Sequence, residues 1–325
     1  MMDVHISKGA VGATVQLFGC MVTTQFELGG KAIRPLYEAP WSDFPDDPML
    51  AHLKGDFLCV PFGHAPESLA HFPHGWSELS PGETPQGHGY AANRAWDVEW
   101  ARDESARFRL DYPADDPVEW VAREVTCTGD AVAITDEIAM RADARLPLGL
   151  HPMMQLPDRV GAARLTPPPC RTIASYPVPS EDTSILKPSS RFLDLSAAPL
   201  SEGGTIDLTR LPLDAMTEEL ILLCDVTKPE ASLDNLADGY RLTMSWDSAL
   251  LKHCLLWVSN RGRSFAPWNS RNLCLGIEPV TSAFELGPAV SAALNPLSQE
   301  GISTAVDLHA GDVRSISHRL SASLL

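Results

Sequence analysis

Apolar and polar residues alternate with a period of two along much of the chain. Phe108, Leu110 and Tyr112 are interleaved with Arg107, Arg109 and Asp111. Tyr240, Leu242, Met244 and Trp246 are interleaved with Arg241, Thr243, Ser245 and Asp247. Val15/Leu17, Val132/Ile134, Ile206/Leu208 and Val306/Leu308 repeat the pattern over shorter runs. Successive side chains of a strand point to opposite faces, so each run predicts a strand with one buried and one wet face. Gly29-Gly30, Thr128-Gly129-Asp130, Gly203-Gly204, Asp238-Gly239 and Gly311-Asp312 supply turns between the runs. Helical spacing is scarce. Its best instance, Asp214–Leu223, runs into an apolar stretch at Leu220–Val226 that reads equally as a strand. Strands that follow one another without helices of about ten residues argue against a parallel βαβ sheet. The pattern predicts an all-β fold, a large antiparallel β-sandwich.

One stretch breaks the rhythm. Seven prolines lie between Thr166 and Gly204, among many Ser and Thr. We expect an irregular excursion at about 166–204, with room for one short strand, inside a single domain spanning 1–325. The 27 prolines and 22 glycines of the whole chain suit short strands and loops. A hydrophobic fraction of 44% supplies a packed core.

Charge narrows the partners. With 25 Lys+Arg against 42 Asp+Glu the formal net charge is −17, which removes the basis for nucleic-acid binding or attraction to anionic membranes. Uncharged small molecules remain, since they feel little of the field. The seven cysteines are odd in number and widely spaced, which predicts reduced, buried thiols rather than a disulfide framework or zinc knuckle. The N-terminal stretch MMDVHISKGAVGATVQLFG has no signal-peptide apolar core, and Leu250–Val258 is interrupted by Lys252 and His253. A cytoplasmic protein with no membrane span is expected.

Three ionisable residues stand in unusual local settings. His88 is framed by glycines in Gln86-Gly87-His88-Gly89-Tyr90, which lets the backbone turn tightly beside a ligand. His151 ends the apolar run Leu148-Gly149-Leu150 and is followed by Pro152. Glu278 ends Leu273-Cys274-Leu275-Gly276-Ile277 and is followed by Pro279. An ionisable group at the end of an apolar strand, stopped by proline, faces the mouth of a β fold. Taken singly, each residue could equally cap a loop by hydrogen bonds. His64, His71 and His74 form a second cluster, but Pro73 separates the last pair and no Cys or carboxylate stands at a ligand spacing, so no metal site is expected. There is no GxSxG, no GxGxxG and no GxxxxGK[ST]. Trp41, Trp96 and Trp268 sit in polar, loop-like sequence, where an aromatic face can stack on a sugar or simply pack.

Taken in order, the segments resemble the aldose 1-epimerase (galactose mutarotase-like) family. They are Gly30-Lys31-Ala32-Ile33-Arg34-Pro35-Leu36, Cys59-Val60-Pro61-Phe62-Gly63, His88-Gly89-Tyr90-Ala91-Ala92-Asn93-Arg94-Ala95-Trp96, Leu150-His151-Pro152 and Gly276-Ile277-Glu278-Pro279. The resemblance implies a large antiparallel β-supersandwich and an isomerase that interconverts the anomers of a free, neutral sugar. Ring opening needs a base for the C1 hydroxyl proton and an acid for the ring oxygen, and closure reverses the roles, so no cofactor is implied. It implies Glu278 as the base, His151 as the acid and His88 as the second histidine on the ring oxygen or a neighbouring hydroxyl. At their ordinary pKa values the imidazole is poised to donate near neutrality, and the carboxyl gains as a base from partial desolvation. Arg34 and Tyr90 are implied substrate contacts, and Trp268 is the stacking candidate. Ala92 stands where relatives commonly carry arginine, and Met153-Met154 where aromatics are common. The carboxylate that holds sugar hydroxyls in the best-known members has no evident counterpart. A non-catalytic carbohydrate-binding or regulatory protein on the same scaffold is the alternative, and a metal-dependent sugar enzyme using His64, His71 and His74 a third.

Overall fold

Two large antiparallel sheets carry the alternating segments in the computed structural model, which describes residues 3–41, 47–84 and 86–325. The first sheet runs, in spatial order, through Arg191–Phe192, Cys170–Ser175, Thr217–Val226, His253–Asn260, Leu273–Thr281, Leu148–Leu150 and Leu58–Cys59, with Met153–Gln155 also paired to Leu273–Thr281. The second contains nine strands and is centred on Val118–Cys127, Ala131–Met140 and Val313–Leu324. A smaller sheet is built from Val4–Lys8, Val11–Gln16, Met21–Leu28 and Lys31–Ile33. The five turn signals each join or precede strands where the pattern placed them.

The two faces of the first sheet pack into different cores. Ile221, Leu223, Cys254, Leu256, Val258, Leu275 and Ile277 join the core shared with the second sheet. Leu220, Leu222, Cys224, Leu255, Trp257, Cys274 and Val280 face a second core with Phe57, Phe62, Trp76 and Phe284. Because both faces are covered, these central strands are buried at nearly every position and their sequences read as unbroken apolar runs. This explains one departure from the sequence expectation: the helix at Asp214–Leu223 does not form, and Thr217–Val226 is one continuous strand. A second lies in the proline-rich segment. Cys170–Ser175 and Arg191–Phe192 both belong to the first sheet, the former held by register with Thr217–Val226 and the latter paired to the former, which local composition does not reveal.

A charged cluster sits between the sheets. Arg123 donates two hydrogen bonds to Asp136, at 2.6 and 3.0 Å, and lies 3.2 Å from a carboxylate oxygen of Asp56, whose Oδ2 is also 3.0 Å from His318 Nε2. All four side chains are shut off from solvent. Burial alone pushes the Asp56 carboxyl up, but His318 and Arg123 outweigh it and hold the group below its ordinary value.

Candidate active site

Strand register brings two of the predicted residues face to face. Gly149 pairs with Val280 and Met153 with Gly276, so the same register carries His151 directly opposite Glu278. On the other side, Gly149 pairs with Cys59 and Leu150 with Leu58, which brings Phe57 opposite His151. Cross-strand partners share a face. His151 donates its backbone N–H to the Phe57 carbonyl at 2.9 Å, and its ring lies on the Phe57 ring at 4.6 Å between centroids, 12° from parallel. Its Nε2 is 3.6 Å from Glu278 Oε1, close but beyond a hydrogen bond.

The space for that carboxylate is left by Gly276. A Cβ there would stand 2.2 Å from Glu278 Oε1 and 3.0 Å from Trp257 Cβ. His88 arrives from a different element, at the head of the short helix Gly89–Ala92, with a left-handed backbone (φ 60°). Gly89 follows at φ +81°, where a Cβ would fall 2.2 Å from the Val60 carbonyl oxygen. Asn93 Nδ2 ties the loop by donating to the Gly87 and Gly89 carbonyls, both at 2.8 Å. The His88 ring then stands edge-on to His151, 4.9 Å between centroids.

These three side chains line a cavity of about 850 Å³. His88 Nδ1, His151 Nδ1 and Glu278 Oε1 are buried and have no hydrogen-bond partner. An unpartnered buried polar atom is costly, and all three belong to side chains that line this cavity. Burial is the main cause of every shift here. It pushes the Glu278 carboxyl well above its ordinary value, with Glu285 adding to the effect. It takes His151 down to about 4, against the opposing pull of Asp56, and holds His88 well below its ordinary value too. The expectation that His151 is poised to donate near neutrality is therefore corrected: burial lowers its imidazole to about 4, while the same burial raises the Glu278 carboxyl.

Trp268 also reaches the cavity, between Trp41 at 5.0 Å and Trp257 at 5.9 Å. Arg34 and Tyr90 do not. Arg34 donates to Gln25 at 3.1 Å on a separate groove beside the small N-terminal sheet. Tyr90 packs on Tyr112 at 4.9 Å, with the Arg94 guanidinium over its ring at 4.6 Å. Trp96 is core, its Nε1 donating to the Ala91 carbonyl. His64 lines the cavity, whereas His74 pairs with Glu78 on the surface. No group of three or more His, Cys, Asp or Glu arranged to hold a metal occurs among the described residues.

Four residues that the sequence analysis did not single out complete the surroundings. Arg263 and Glu285 line the cavity, as does Glu181, which accepts from Arg263 at 3.0 Å. Arg263 also lies over the Trp257 and Trp268 rings at 5.5 and 4.7 Å. Behind them Glu218, 3.3 Å from Arg263, accepts from Trp257 Nε1 and from Ser259 Oγ. Burial raises its carboxyl to about 7. Glu218 lies before its apolar run, next to Glu219 and with no proline beside it, so the signal that marked Glu278 does not find it.

No protein-family model matches the chain, and no curated protein sequence does. Solved structures do. A galactose mutarotase related enzyme from Lactobacillus acidophilus superposes with a TM-score of 0.66 at 14% identity, over 99% of this chain and 97% of that one. The GalM/aldose epimerase homologue from C. elegans gives 0.64 at 17% identity over 100% of both chains. A galactose mutarotase-like protein from Clostridium acetobutylicum gives 0.64 at 15% identity, over 99% and 95%. The fold is galactose mutarotase-like. No helix among the described residues is long and apolar enough to cross a membrane.

Proposed function

We propose that the chain is a cofactor-independent isomerase of the aldose 1-epimerase type, acting on a free, uncharged sugar. The observation that carries this reading is the pairing of His151 and Glu278 across adjacent strands at the cavity wall, where His88 joins them. Opening a hemiacetal takes a proton from the C1 hydroxyl, breaks the bond from C1 to the ring oxygen and delivers a proton to that oxygen. Rotation about C1–C2 and the reverse transfers close the ring on the other face. The pair needs to hold one proton between its two members. Burial keeps that count at one over a wide range, since it raises the carboxyl and lowers the imidazole. His88 supplies a neutral imidazole beside them to orient the ring oxygen or a neighbouring hydroxyl.

The cavity wall supports an uncharged substrate. Among the described residues, Asp47, Glu67, Glu181 and Glu285 line it beside one arginine, Arg263, whose guanidinium Glu181 and Glu218 already engage. Arg34 and Arg94 are turned elsewhere. Among the described residues that line the cavity, a phosphorylated sugar meets no arginine or lysine free of a carboxylate partner.

The test is the anomerisation rate, by polarimetry or NMR, over free hexoses, pentoses, deoxy-sugars and hexose 6-phosphates. At least one neutral sugar should be accelerated, and the phosphates much less. Sugar binding with no acceleration for any member would instead assign a carbohydrate-binding protein. The proton count also sets a pH profile. kcat/KM should fall below about pH 4, as His151 takes up a second proton. An acid limb near 6.5 would contradict the site described.

Gly276→Ala probes the geometry alone. Its methyl group displaces the Glu278 carboxylate without removing it, so kcat should fall on the order of a hundredfold. Unchanged kcat in a folded Gly276→Ala protein would show that the carboxylate position does not matter.

A further inference from the structure

The charged cluster between the sheets touches the candidate site at one point. Asp56 immediately precedes Phe57, the residue that accepts the His151 N–H and on whose ring the imidazole lies. Alternation puts the two side chains on opposite faces: Phe57 toward the cavity, Asp56 toward the second sheet. There Asp56 Oδ2 is gripped by His318 at 3.0 Å and Arg123 at 3.2 Å, while Oδ1 is buried without a partner. The Asp56 backbone is fixed as well, exchanging N–H to carbonyl bonds with Val22 at 2.9 and 3.0 Å, and its own carbonyl accepts from Arg123 at 3.2 Å.

We propose that Asp56 is a positioning residue for His151, fixing the Phe57 strand against which the imidazole is set and placing a buried negative charge behind it. This rests on the reading of His151 as part of the proton-transferring pair. The charge acts in the required sense, since Asp56 favours the protonated imidazole while burial and Arg263 oppose it. The other ionisable groups around the ring are Glu278 from the facing strand and His88 from the loop. Around Asp56 they are His318, Arg123 and Asp136 from the second sheet, with the buried thiols of Cys20 and Cys59.

Asp56→Asn keeps the shape and removes the charge. Asp136→Asn is the matched control, because it breaks the same buried ion pair from a strand that does not meet His151. In Asp56→Asn, the acid limb of kcat/KM and the His151 imidazole titration followed by 15N NMR should both move down by at least half a pH unit. kcat should fall about tenfold with little change in KM. Asp136→Asn should leave both profiles in place. If the two variants give superimposable titrations, Asp56 is merely structural and the inference fails. The NMR arm needs no turnover, so a shifted His151 in a protein inactive on every sugar retires the isomerase reading and keeps the coupling. Should Asp56→Asn not fold, His318→Asn releases the same carboxylate. It should displace the His151 titration by at least 0.3 unit, and an undisplaced curve overturns the proposal.

Discussion

Replacing Glu278 by Gln should reduce the anomerisation rate by roughly 10²–10⁴-fold, the range for loss of one positioned acid or base. The substitution keeps the side-chain volume and the strand pairing to Leu255, so the loss falls on proton transfer rather than on the fold. The same change should stabilise the protein. The folded-state pKa of Glu278 lies above the unfolded value, so over the interval between them the unfolded chain is ionised while the folded one must keep its proton. Stability is therefore lost as pH rises from the unfolded carboxyl value of about 4.3 toward the folded one. Glutamine has no such dependence. The difference in Tm between Glu278→Gln and the parent protein should widen as pH rises through that window. A variant both inactive and less stable at neutral pH would mean that Glu278 acts as a structural partner. A variant that anomerises sugar at the parent rate would remove it from the reaction.

Arg123→Met should destabilise the protein by about 3–5 kcal/mol, the cost of leaving buried charge without its partner. Arg123 is wholly enclosed, donates to both oxygens of Asp136, and also supports the Cys20 and Asp56 carbonyls at 3.3 and 3.2 Å. Burial disfavours its charged form, but Asp136 and Asp56 more than restore it. Without the guanidinium Asp56 loses one of the charges that hold its carboxyl down and binds a proton more readily, so the deficit against the parent protein should narrow as pH is lowered. Adding Asp136→Asn to Arg123→Met should recover part of the loss, because the pair is then replaced rather than broken. A loss below about 1 kcal/mol, measured by denaturant titration at neutral pH, would place the cluster among weak surface-like pairs.

The pairing of active-site and buried-cluster chemistry also sets how the protein should respond to acid. His151 is lowered to about 4 and Asp56 is held below its ordinary value. Both depressions contribute stability above the unfolded values, and it is lost as pH falls through the folded ones. For His151 the window runs from about 6.5 to about 4 and corresponds to on the order of 3 kcal/mol.

Much of this was legible in the sequence. The alternation at Phe108–Tyr112 and Tyr240–Trp246 is a local property of the strand, and the structure realises it as buried and open faces. The Gly-rich turns are local too, because positive backbone angles need glycine wherever the chain goes next. His88, His151 and Glu278 could be singled out because each carries its setting with it: flanking glycines, or an apolar run stopped by proline. Where a residue looked the same locally but belonged elsewhere, the reading went astray. The resemblance implied Arg34 as a substrate contact, yet Arg34 follows the strand Lys31–Ile33 of the small sheet and faces a different groove. Arg263, in a loop with nothing distinctive around it, reaches the cavity because the strands on either side of it are neighbours.

What the sequence by itself determined was the all-β character and the alternating strands with their Gly-rich turns, and it singled out three ionisable residues by their neighbours, all of which depends on residues a few positions apart. Only the tertiary structure decided that His151 stands opposite Glu278, that Phe57 lies beneath it, and that Asp56 is tied to Arg123 and His318 behind it. Those relations are set by register between strands as much as 262 residues apart in the chain. The proton affinities followed the same division. An imidazole and a carboxyl have ordinary values in the sequence, and it was enclosure between two packed layers that drove one down and the other up.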